Sequence, residues 1–401
     1  MITIEEALEK ILAAVRPITD EMIVDIMDSL GQVNAEDCIT QNPLPPFARS
    51  AMDGYAVKAA DTAKAAVSAP VKLQVAGKLL AGDHKDCAYE PATAIRVMTG
   101  AYIPDGYDAV VKQEDTDMGE SVVHVMRSVR PYENYCKIGE NMAAGHKAVA
   151  SGTLIRPVHM GLMAAMGKDK VKIIRKPLIT LIVTGSELLE PGQEYEPGKI
   201  YDSAGYMIAG AIRQQGLKVS APLICGDDPA DAERLLRKAL TETDFIITTG
   251  AISVGEKDFM PELLRSMGAE ILFQGADIQP GTPTMASVID GKVILSLSGN
   301  PYAALANFEI YFWEAMAKMT GCRSLAPKQG EAILKDPYEK VNRHRRLIRA
   351  MAKDGKVFLP AKIHSSSVIG NMDRCNCFLD LEAGKAVRVG DKVKIRYIKG
   401  F

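Results

Sequence analysis

The fold is decided by the stretch Leu178-Ile-Thr-Leu-Ile-Val-Thr-Gly-Ser186, an apolar run that ends in small polar residues. A run of this length with turn residues at its end is typical of a buried β-strand. The same pattern recurs in Asp244-Phe-Ile-Ile-Thr-Thr-Gly250 and in Val293-Ile-Leu-Ser-Leu-Ser-Gly-Asn300. Helical patterns separate these runs, so the region indicates a mainly parallel sheet that is covered by helices on both faces.

One further strand and four helices are predicted in the same region. The strand covers Val219 to Ile224. The helices are expected from about Ser203 to Gln215, from Pro229 to Leu240, from Asp258 to Met267, and onward from Pro301. Proline suits the first turn of a helix, because an N–H at that position has no partner within the helix.

Three of the strands end in loops that contain glycine and hydroxyl residues, at 184–187, 249–258 and 298–301. In a parallel sheet the carboxyl ends of the strands meet at one edge, where ligands bind. Such residues at a helix N-terminus can hold a phosphate, but they also serve as ordinary helix caps. With Glu187 and Asp258 beside them, the loops favour an anionic or phosphorylated ligand. Their spacing matches neither a Walker loop nor a Gly-x-Gly-x-x-Gly motif, so ordinary nucleotide-binding folds are disfavoured.

The flanking regions have different patterns. Thr3 and Glu6 form a capping box for a helix with an apolar stripe, and a second helix is expected near residues 20–30. Residues 47–139 contain only short strand-like runs, which indicates a small β-rich domain. After Pro327 short strands return, and about seventy residues there predict a second small β domain.

Composition limits the class of protein. The chain has 401 residues, of which 47% are hydrophobic and 24% charged, as in globular proteins of several domains. A net charge of −2 provides no field that would favour nucleic acid or an acidic membrane. No apolar run reaches the ~18 residues that span a bilayer. Because no secretory signal is visible and the seven cysteines are odd in number, we expect reduced thiols and a cytoplasmic location.

The stretch Pro45-Pro-Phe-Ala-Arg-Ser-Ala-Met-Asp-Gly-Tyr-Ala-Val57 places a carboxylate beside a glycine after a rigid proline turn. Gly54 permits a sharp turn or a close approach by another group, which would hold Asp53 at the rim of a cleft. An ordinary surface turn explains the same residues equally well. A second polar feature, the basic run Lys340–Arg349, is consistent with anion binding or with a solvated strand edge.

Several blocks of the sequence occur in the order that is found in one enzyme family. They are Ser50-Ala-Met-Asp-Gly-Tyr-Ala-Val57, Ala94-Ile-Arg-Val-Met-Thr-Gly-Ala101, Asp108-Ala-Val-Val111, Gly139-Glu-Asn-Met-Ala-Ala-Gly145, Gly198-Lys-Ile-Tyr-Asp-Ser203, Ser253-Val-Gly-Glu-Lys-Asp258, Pro280-Gly-Thr-Pro283 and Ser298-Gly-Asn-Pro301. Through these blocks, nearly the whole chain resembles the molybdopterin molybdenumtransferases, the MoeA family that includes the E domain of gephyrin.

The resemblance implies a multidomain fold of α/β and β type, in which a three-layer α/β molybdopterin-binding (MogA-like) domain is joined to β-rich N-terminal and C-terminal domains. The implied domains are an elongated dimerisation domain of residues 1–46 and 140–176, a β-rich inserted domain of 47–139, the α/β domain of 177–326 and a barrel-like domain of 327–401. Members of this family are homodimers, and their active site lies between domain three of one subunit and domain two of the other.

The resemblance also implies an activity, which is the insertion of molybdate into adenylylated molybdopterin with Mg²⁺ and the release of AMP. The implied partners are a second copy of the chain, the pterin and oxyanion substrates, and the molybdopterin adenylyltransferase. The implied catalytic residues are Asp53, Thr99, Glu187, Asp244 and Asp258, and the metal ligands among them are Asp53, Glu187 and Asp258. The implied pterin- and phosphate-binding residues are Thr184, Gly185, Ser186, Asp202, Thr249, Gly250, Ser253, Pro280, Gly281, Ser298, Gly299, Asn300, Pro301 and Arg349.

The sequence departs from the family pattern in its presumed oxyanion site. Where the family usually reads Lys-Pro-Gly-Lys-Pro, this chain has Gln279-Pro-Gly-Thr-Pro283, and Gly275 stands in place of a further lysine. Each charge-assisted hydrogen bond lost in this way is worth about 1.5–3 kcal/mol. Two functional hypotheses therefore stay open. The first is a molybdenumtransferase with a modified site, and the second is a non-catalytic scaffold that binds a pterin, a nucleotide or a protein partner.

Overall fold

The computed structural model describes residues 1–85, 87–253, 258–360 and 365–399. The chain divides into two compact units, each with its own hydrophobic core. Unit 1 consists of Met1–Glu36, Ser151–Arg156 and Lys170–Phe401, and unit 2 consists of Asp37–Ala150 and Pro157–Asp169. The division into four domains that the sequence predicts stays a prediction.

The described residues contain α-helices, strands and short 3₁₀ turns, numbered here in chain order. The helices are α1 (Ile4–Ala14), α2 (Pro157–Ala165), α3 (Ala204–Gln214), α4 (Pro229–Glu242), α5 (Met260–Ser266) and α6 (Pro301–Thr320). The 3₁₀ turns are Ile26–Ser29, Ala59–Thr62, Gln113–Asp115, Arg323–Leu325 and Met372–Arg374. Each of the described helices is too short or too polar to cross a membrane.

The strands fall into two groups along the chain. Those of the first 150 residues are β1 (Glu21–Asp25), β2 (Val33–Asn34), β3 (Cys38–Ile39), β4 (Arg49–Ser50), β5 (Gly54–Val57), β6 (Val71–Leu79), β7 (Thr93–Val97), β8 (Ala109–Lys112), β9 (Val122–Val125), β10 (Tyr135–Cys136) and β11 (Lys147–Val149). Those that follow are β12 (Lys170–Ile174), β13 (Leu178–Thr184), β14 (Leu188–Leu189), β15 (Ile200–Tyr201), β16 (Lys218–Val219), β17 (Leu223–Cys225), β18 (Phe245–Thr249), β19 (Glu270–Gln274), β20 (Ile278–Gln279), β21 (Met285–Ile289), β22 (Lys292–Leu297), β23 (Gln329–Leu334), β24 (Arg345–Lys353), β25 (Lys356–Phe358), β26 (Cys377–Leu381) and β27 (Lys392–Tyr397).

The first helix is the one that the capping box predicts. The Thr3 hydroxyl accepts the Glu6 N–H at 3.2 Å, and the Glu6 carboxylate accepts the Thr3 N–H at 2.8 Å. The prediction of a second helix near residues 20–30 is wrong. Residues Glu21–Asp25 form β1, which pairs antiparallel with β12 (Lys170–Ile174), and a 3₁₀ turn follows. The β-branched pair Ile23 and Val24 favours a strand, and its partner lies so far along the chain that no local pattern reveals it.

The central sheet of unit 1 has the strand order β16-β13-β18-β22-β21-β19, with β17 also pairing with β13. The strands β13, β16, β17, β18 and β22 are parallel, and β21 and β19 form an antiparallel edge. The predicted strand from Val219 to Ile224 is split in two at Pro222, which has no N–H to donate to the sheet. The predicted mainly parallel sheet is therefore confirmed.

Both faces of this sheet are buried, because alternate side chains of each strand point to opposite sides. On one face Leu181, Ile247 and Leu295 pack with α1, α3 and α6. On the other face Ile182, Ile246 and Ile294 pack with α4 and α5. Helix α6 is buried along almost its whole length, so the sheet and this helix form the centre of unit 1.

The C-terminal strands of unit 1 close into a small barrel. Hydrogen bonding runs from β24 through β25, β23, β27 and β26 and returns to β24. Strand β20, which follows the central sheet, pairs in parallel with the start of β24 and joins the barrel to the α/β domain. The second β domain predicted from the sequence is therefore present as a closed barrel of five strands with a sixth at its edge.

Unit 2 is built around a sheet with the strand order β8-β5-β7-β6-β9. Strand β5 contains Gly54, where an added Cβ atom would lie 1.9 Å from the Val111 carbonyl oxygen. This glycine therefore permits the close cross-strand contact that the sequence suggested. Between residues 47 and 139 the described part of the chain has 3₁₀ turns but no α-helix, in agreement with a β-rich domain.

A buried carboxylate on α6 predicts that the stability of unit 1 depends on pH. Glu309 is 2% exposed, and its Oε2 atom accepts the Lys399 backbone N–H at 2.8 Å. Burial raises the pKa of Glu309 from about 4.5 to about 8. Above pH 4.5 the folded state holds a proton that the unfolded state has released. The contribution of Glu309 to folding stability is therefore largest below pH 4.5, and it is lost as the pH rises toward 8.

We expect Glu309→Gln to remove this pH dependence, since the amide is neutral at every pH and has a similar shape. Between pH 5 and pH 9 the shift in pKa corresponds to about 4 kcal/mol of unfolding free energy in favour of the variant. The measurement is chemical denaturation of both proteins across this range. Glu314→Gln, on the same helix and partly exposed, is the control. If the unfolding free energies of Glu309→Gln and the unmodified protein varied with pH in the same way, the raised pKa of Glu309 would be contradicted.

Candidate active site

A cleft of about 900 Å³ lies in unit 1 at the carboxyl edge of the central sheet. Strands β13, β17, β18 and β22 run in parallel, so the loops that follow them all reach this edge. Most residues that the sequence predicts for pterin or phosphate binding line the cleft. They are Thr184, Gly185, Asp202, Thr249, Gly250, Ser253, Pro280, Gly281, Ser298, Gly299, Asn300 and Pro301.

The strand ends are fixed to one another by hydrogen bonds. The buried Thr184 hydroxyl donates to the Thr249 carbonyl oxygen at 2.9 Å. The Gly250 N–H donates to the Leu297 carbonyl oxygen, and the Gly185 N–H to that of Cys225, both at 3.1 Å. The three loops therefore form one connected edge, in which the position of each loop depends on its neighbour.

Gly250 is required where two of these loops meet. Its φ is +87°, and an added Cβ atom would lie 2.2 Å from the Thr184 carbonyl oxygen. Gly299, from the next loop, is also close, because its Cβ atom would lie 3.4 Å from the Gly250 Cα. Any side chain at position 250 would push the first two loops apart.

The loop at residues 279–283 is held against α6. Gly281 has a φ of +93°, and an added Cβ atom would lie 1.8 Å from the Asn307 Nδ2 atom. That nitrogen donates to the Gly281 carbonyl oxygen at 2.9 Å and to the Ala303 carbonyl oxygen at 3.2 Å. The N-terminus of α6 also faces the cleft, with Asn300 as its cap and Pro301 as its first residue. The positive end of the helix dipole favours an anion there.

Among the described residues, four carboxylates line the cleft, from Glu187, Asp202, Asp227 and Asp258. Asp202 is 4% exposed, and burial raises its pKa although the Gly205 N–H donates to its Oδ1 atom at 2.9 Å. The Oδ2 atom of Asp202 is buried and has no hydrogen-bond partner within the described residues. This oxygen is therefore placed to bind a polar group of a ligand.

Asp227 is a site residue that the sequence reasoning missed. It follows β17, whose carboxyl end lies beside that of β13. Ser186, predicted to bind the cofactor, does not line the cleft. Its hydroxyl instead accepts the Asp227 N–H at 3.0 Å and so connects the two loops. The available signal was the sequence Cys225-Gly-Asp-Asp-Pro229, in which two carboxylates stand between a strand and the first turn of a helix.

Asp244, which the sequence predicts to be catalytic, does not lie in the cleft, and its role stays a prediction. Asp244 precedes β18 and therefore lies at the amino end of the parallel strands, opposite the cleft. Its two oxygens accept from both terminal nitrogens of Arg175, at 2.9 and 3.0 Å, and from the Leu178 N–H at 2.8 Å. Burial would raise the pKa of Asp244, but these partners hold it below the usual value. The side chain fastens the starts of two strands together.

Arg349 is also absent from the cleft lining. It is fully buried, its guanidinium lies 3.6 Å from the centre of the Tyr302 ring, and it donates to the Ser365 carbonyl oxygen at 2.7 Å. Further donations to the Val368 carbonyl oxygen and the Asn371 side chain hold the same loop. Arg349 therefore positions the loop whose Ser366 and Ser367 line the cleft.

The other predicted catalytic residues lie in two places. Glu187 and Asp258 line the cleft of unit 1. Asp53 and Thr99 belong to unit 2, where the Asp53 Oδ1 atom accepts the Thr99 N–H at 2.7 Å and its hydroxyl at 2.8 Å. These two hydrogen bonds, the backbone one first, hold the pKa of Asp53 below its usual value. Asp53 is thus kept ionised by a partner that the sequence also singled out.

The donor set of the cleft suits a hard cation. Within the described ranges, no cluster of three or more His, Cys, Asp or Glu side chains has the geometry of a metal site. Mg²⁺ does not need such a cluster, because it usually keeps several waters and binds through one or two carboxylates together with substrate phosphates. The carboxylates of Glu187 and Asp258 fit that requirement.

We expect Gly250→Ala to be much more destabilising than Gly268→Ala. Both glycines have nearly the same positive φ, +87° and +85°, so both variants carry the same backbone strain of about 1–2 kcal/mol. Only position 250 also meets a backbone oxygen, whereas position 268 has open space around it. Thermal unfolding of the two variants measures the difference in stability. Equal decreases in melting temperature would show that the first two strand-end loops can move apart without cost.

Two family models match the chain. The model described as the MoeA N-terminal region (domain I and II) matches residues 2–167, and the model described as a probable molybdopterin binding domain matches residues 180–318. Together they match parts of both units and end before the C-terminal barrel of unit 1.

Curated relatives match over nearly the full length. A molybdopterin molybdenumtransferase of Staphylococcus epidermidis is 34% identical over 398 residues, which cover 98% of this chain and 95% of the relative. A protein of the same name from Staphylococcus aureus is 32% identical over the same length. Among solved structures, a molybdopterin biosynthesis MoeA protein from Pyrococcus horikoshii matches with a TM-score of 0.84 and 29% identity, covering 99% of this chain and 100% of that one. The predicted fold class is confirmed, and the chain belongs to the MoeA family of molybdopterin molybdenumtransferases.

Proposed function

We propose that this protein inserts molybdate into adenylylated molybdopterin and releases AMP. The observation that carries the proposal is the cleft of unit 1, which combines the N-terminus of a buried helix, glycine-lined strand ends and carboxylates in one place. A phosphoric anhydride needs these same elements, since backbone donors stabilise phosphate charge and carboxylates hold a divalent cation. The scaffold hypothesis is not favoured, because relatives named for the enzyme match along almost the whole chain.

In this proposal each part of the cleft has a separate task. Mg²⁺ held by Glu187 and Asp258 would neutralise charge on the phosphates while the anhydride bond breaks. The dipole at the N-terminus of α6 stabilises phosphate charge beside the loop of Thr249 and Gly250. Asp202, whose Oδ2 atom is buried and unpaired among the described residues, binds a polar edge of the pterin. Water attacks the anhydride, so that AMP leaves and the pterin keeps its own phosphate. The two dithiolene sulfurs replace one molybdate oxygen, which leaves as water with the two thiol protons, and molybdenum stays in the same oxidation state.

The finer assignments rest on the resemblance together with local geometry. Asp53, kept ionised by Thr99, is proposed as a further catalytic carboxylate. A molybdopterin adenylyltransferase is the proposed source of the adenylylated substrate. A cytoplasmic location is proposed because all seven cysteines lie within the described residues and form no disulfide there.

We expect Mg²⁺-dependent AMP release from adenylylated molybdopterin that is stimulated by molybdate. Glu187→Gln should lower the rate at least ~10-fold at limiting Mg²⁺, because the amide is a poorer ligand for a hard cation. Asp258→Ala should have an effect in the same direction. Glu190→Gln is the matched control, since Glu190 is exposed and lies outside the cleft lining. A well-folded protein that releases no AMP would refute the transferase proposal.

We also propose a homodimer, and unit 1 has a surface that fits this state. Large apolar side chains are exposed on β1 and the turn that follows it, including Met22, Ile23 and Met27 at 50%, 68% and 76%. Such exposure of neighbouring apolar residues is typical of a protein interface.

We expect light scattering to give twice the chain mass of 43.4 kDa. The pair Ile23→Asp and Met27→Asp should shift the protein toward a monomer, because the interface would then bury two charges. Val67→Asp provides the control, since Val67 is 81% exposed but lies in unit 2. A monomer in the unmodified protein would remove the proposal.

A further inference from the structure

Strand β1 (Glu21–Asp25) lies at the edge of a three-stranded antiparallel sheet of unit 1, in the order β1-β12-β2. One side of β1 pairs with β12, and within the described residues its other side has no partner strand. An edge of this kind presents a row of unpaired N–H and C=O groups to which a strand of another chain can bind.

The hydrogen bonds between β1 and β12 show which backbone groups of β1 are free. The Arg175 N–H, one residue after β12, donates to the carbonyl oxygen of Asp20, one residue before β1, at 2.9 Å. This contact continues the register of the two strands, and hydrogen-bonded pairs alternate along an antiparallel ladder. Met22 and Val24 therefore bond to β12. The residues whose N–H and C=O groups point away from the sheet are Glu21, Ile23 and Asp25.

The acidic residues at the two ends of β1 are already compensated inside the sheet. Lys170 of β12 lies 2.7 Å from the Asp25 carboxylate. Lys172 of the same strand lies 3.5 Å from the carboxylate of Glu21 and 3.0 Å from that of Glu36. Because these charges are balanced within one subunit, the free edge does not require a basic strand as its partner.

The centre of β1 is apolar, and a second copy of the strand matches it in one antiparallel register. With Ile23 of each copy at a twofold axis, the outward N–H and C=O groups of the two isoleucines bond to each other. Met22 then lies opposite the partner subunit's Val24, so that each central pair is apolar. A shift by one residue would misalign the free backbone groups, and a shift by two would place Ile23 opposite an acidic residue.

We propose that β1 of one subunit pairs antiparallel with β1 of a second copy, so that the two three-stranded sheets join into one sheet of six strands. The exposed side chains of Met27 and Leu30, in and after the 3₁₀ turn next to β1, extend the apolar surface that the second copy covers. This inference rests on the homodimer of the proposed function, and it identifies the contact that forms the dimer.

Disulfide cross-linking of the full-length protein tests the register. In an antiparallel pair that exchanges no hydrogen bonds, opposite Cα atoms lie about 4.5 Å apart, which a disulfide can bridge. Met22→Cys combined with Val24→Cys should therefore convert most of the protein into a covalent dimer on a non-reducing gel. Each single variant should cross-link no more than the unmodified protein, since its two new thiols lie on a diagonal of about 7–8 Å.

The matched control is Val122→Cys combined with His124→Cys. These residues have the same spacing on β9, an edge strand of unit 2 whose outer side is bonded to the loop at residues 115–117. This variant should give no covalent dimer. Cross-linking of the control to the same extent as the β1 double variant would show that the disulfides report random collisions, and would overturn the inference.

The remaining outcomes separate this inference from the proposed homodimer. If light scattering gives a dimer but the β1 double variant does not cross-link, the homodimer stands and the strand pairing is overturned. Efficient cross-linking of Met22→Cys alone or Val24→Cys alone would overturn the register, because like positions face each other only after a shift by two residues. In the unmodified dimer the Ile23 N–H should exchange slowly with solvent although it points away from its own sheet, and fast exchange would contradict the pairing without any variant.

Discussion

The cleft depends on one contact, the meeting of the first two strand ends at Thr184, Thr249 and Gly250. A buried hydroxyl joins the two strands, and a glycine lets their loops approach to a distance that no side chain would allow. The apolar layers on both faces of the sheet hold the strands rigidly behind this point. Because the loops are fixed before a ligand arrives, binding does not have to order them, which preserves affinity.

Around this edge, ionised groups are divided between structural and chemical roles. Asp244 and Arg175 fasten the starts of the strands, and Arg345 with Arg396 compensates the buried Asp380 in the barrel. Such pairs contribute mainly by preventing an unpaired buried charge. Two charged groups of the cleft lining, Asp202 and Arg346, each keep one buried atom without a hydrogen-bond partner in the described residues. These two groups therefore differ from the fully paired charges of the framework.

The parallel sheet and its cleft could be predicted because each strand is a continuous apolar run and each polar loop follows it directly. The position of β1 and the closure of the barrel could not be predicted from the sequence, since both depend on pairing between segments that are distant along the chain. Asp244 lies away from the cleft because it precedes a strand, whereas Asp227 follows one and lines the cleft. Arg346 and Arg349 lie three residues apart on β24, so their side chains point to opposite faces of the strand. The number of basic residues in this run does not show which of them faces the cleft.

The pairing of β20 with β24 has a consequence for how this protein can vary. Two residues of the α/β domain, Ile278 and Gln279, are hydrogen-bonded to the barrel immediately before the loop that lines the cleft. One wall of the cleft is therefore built by two domains. Neither domain can be replaced by a homologous one unless the pairing of β20 with β24 is preserved. Because the Arg346 guanidinium donates to Gln279 across this pairing, a substitution on either strand alters a contact made by the other.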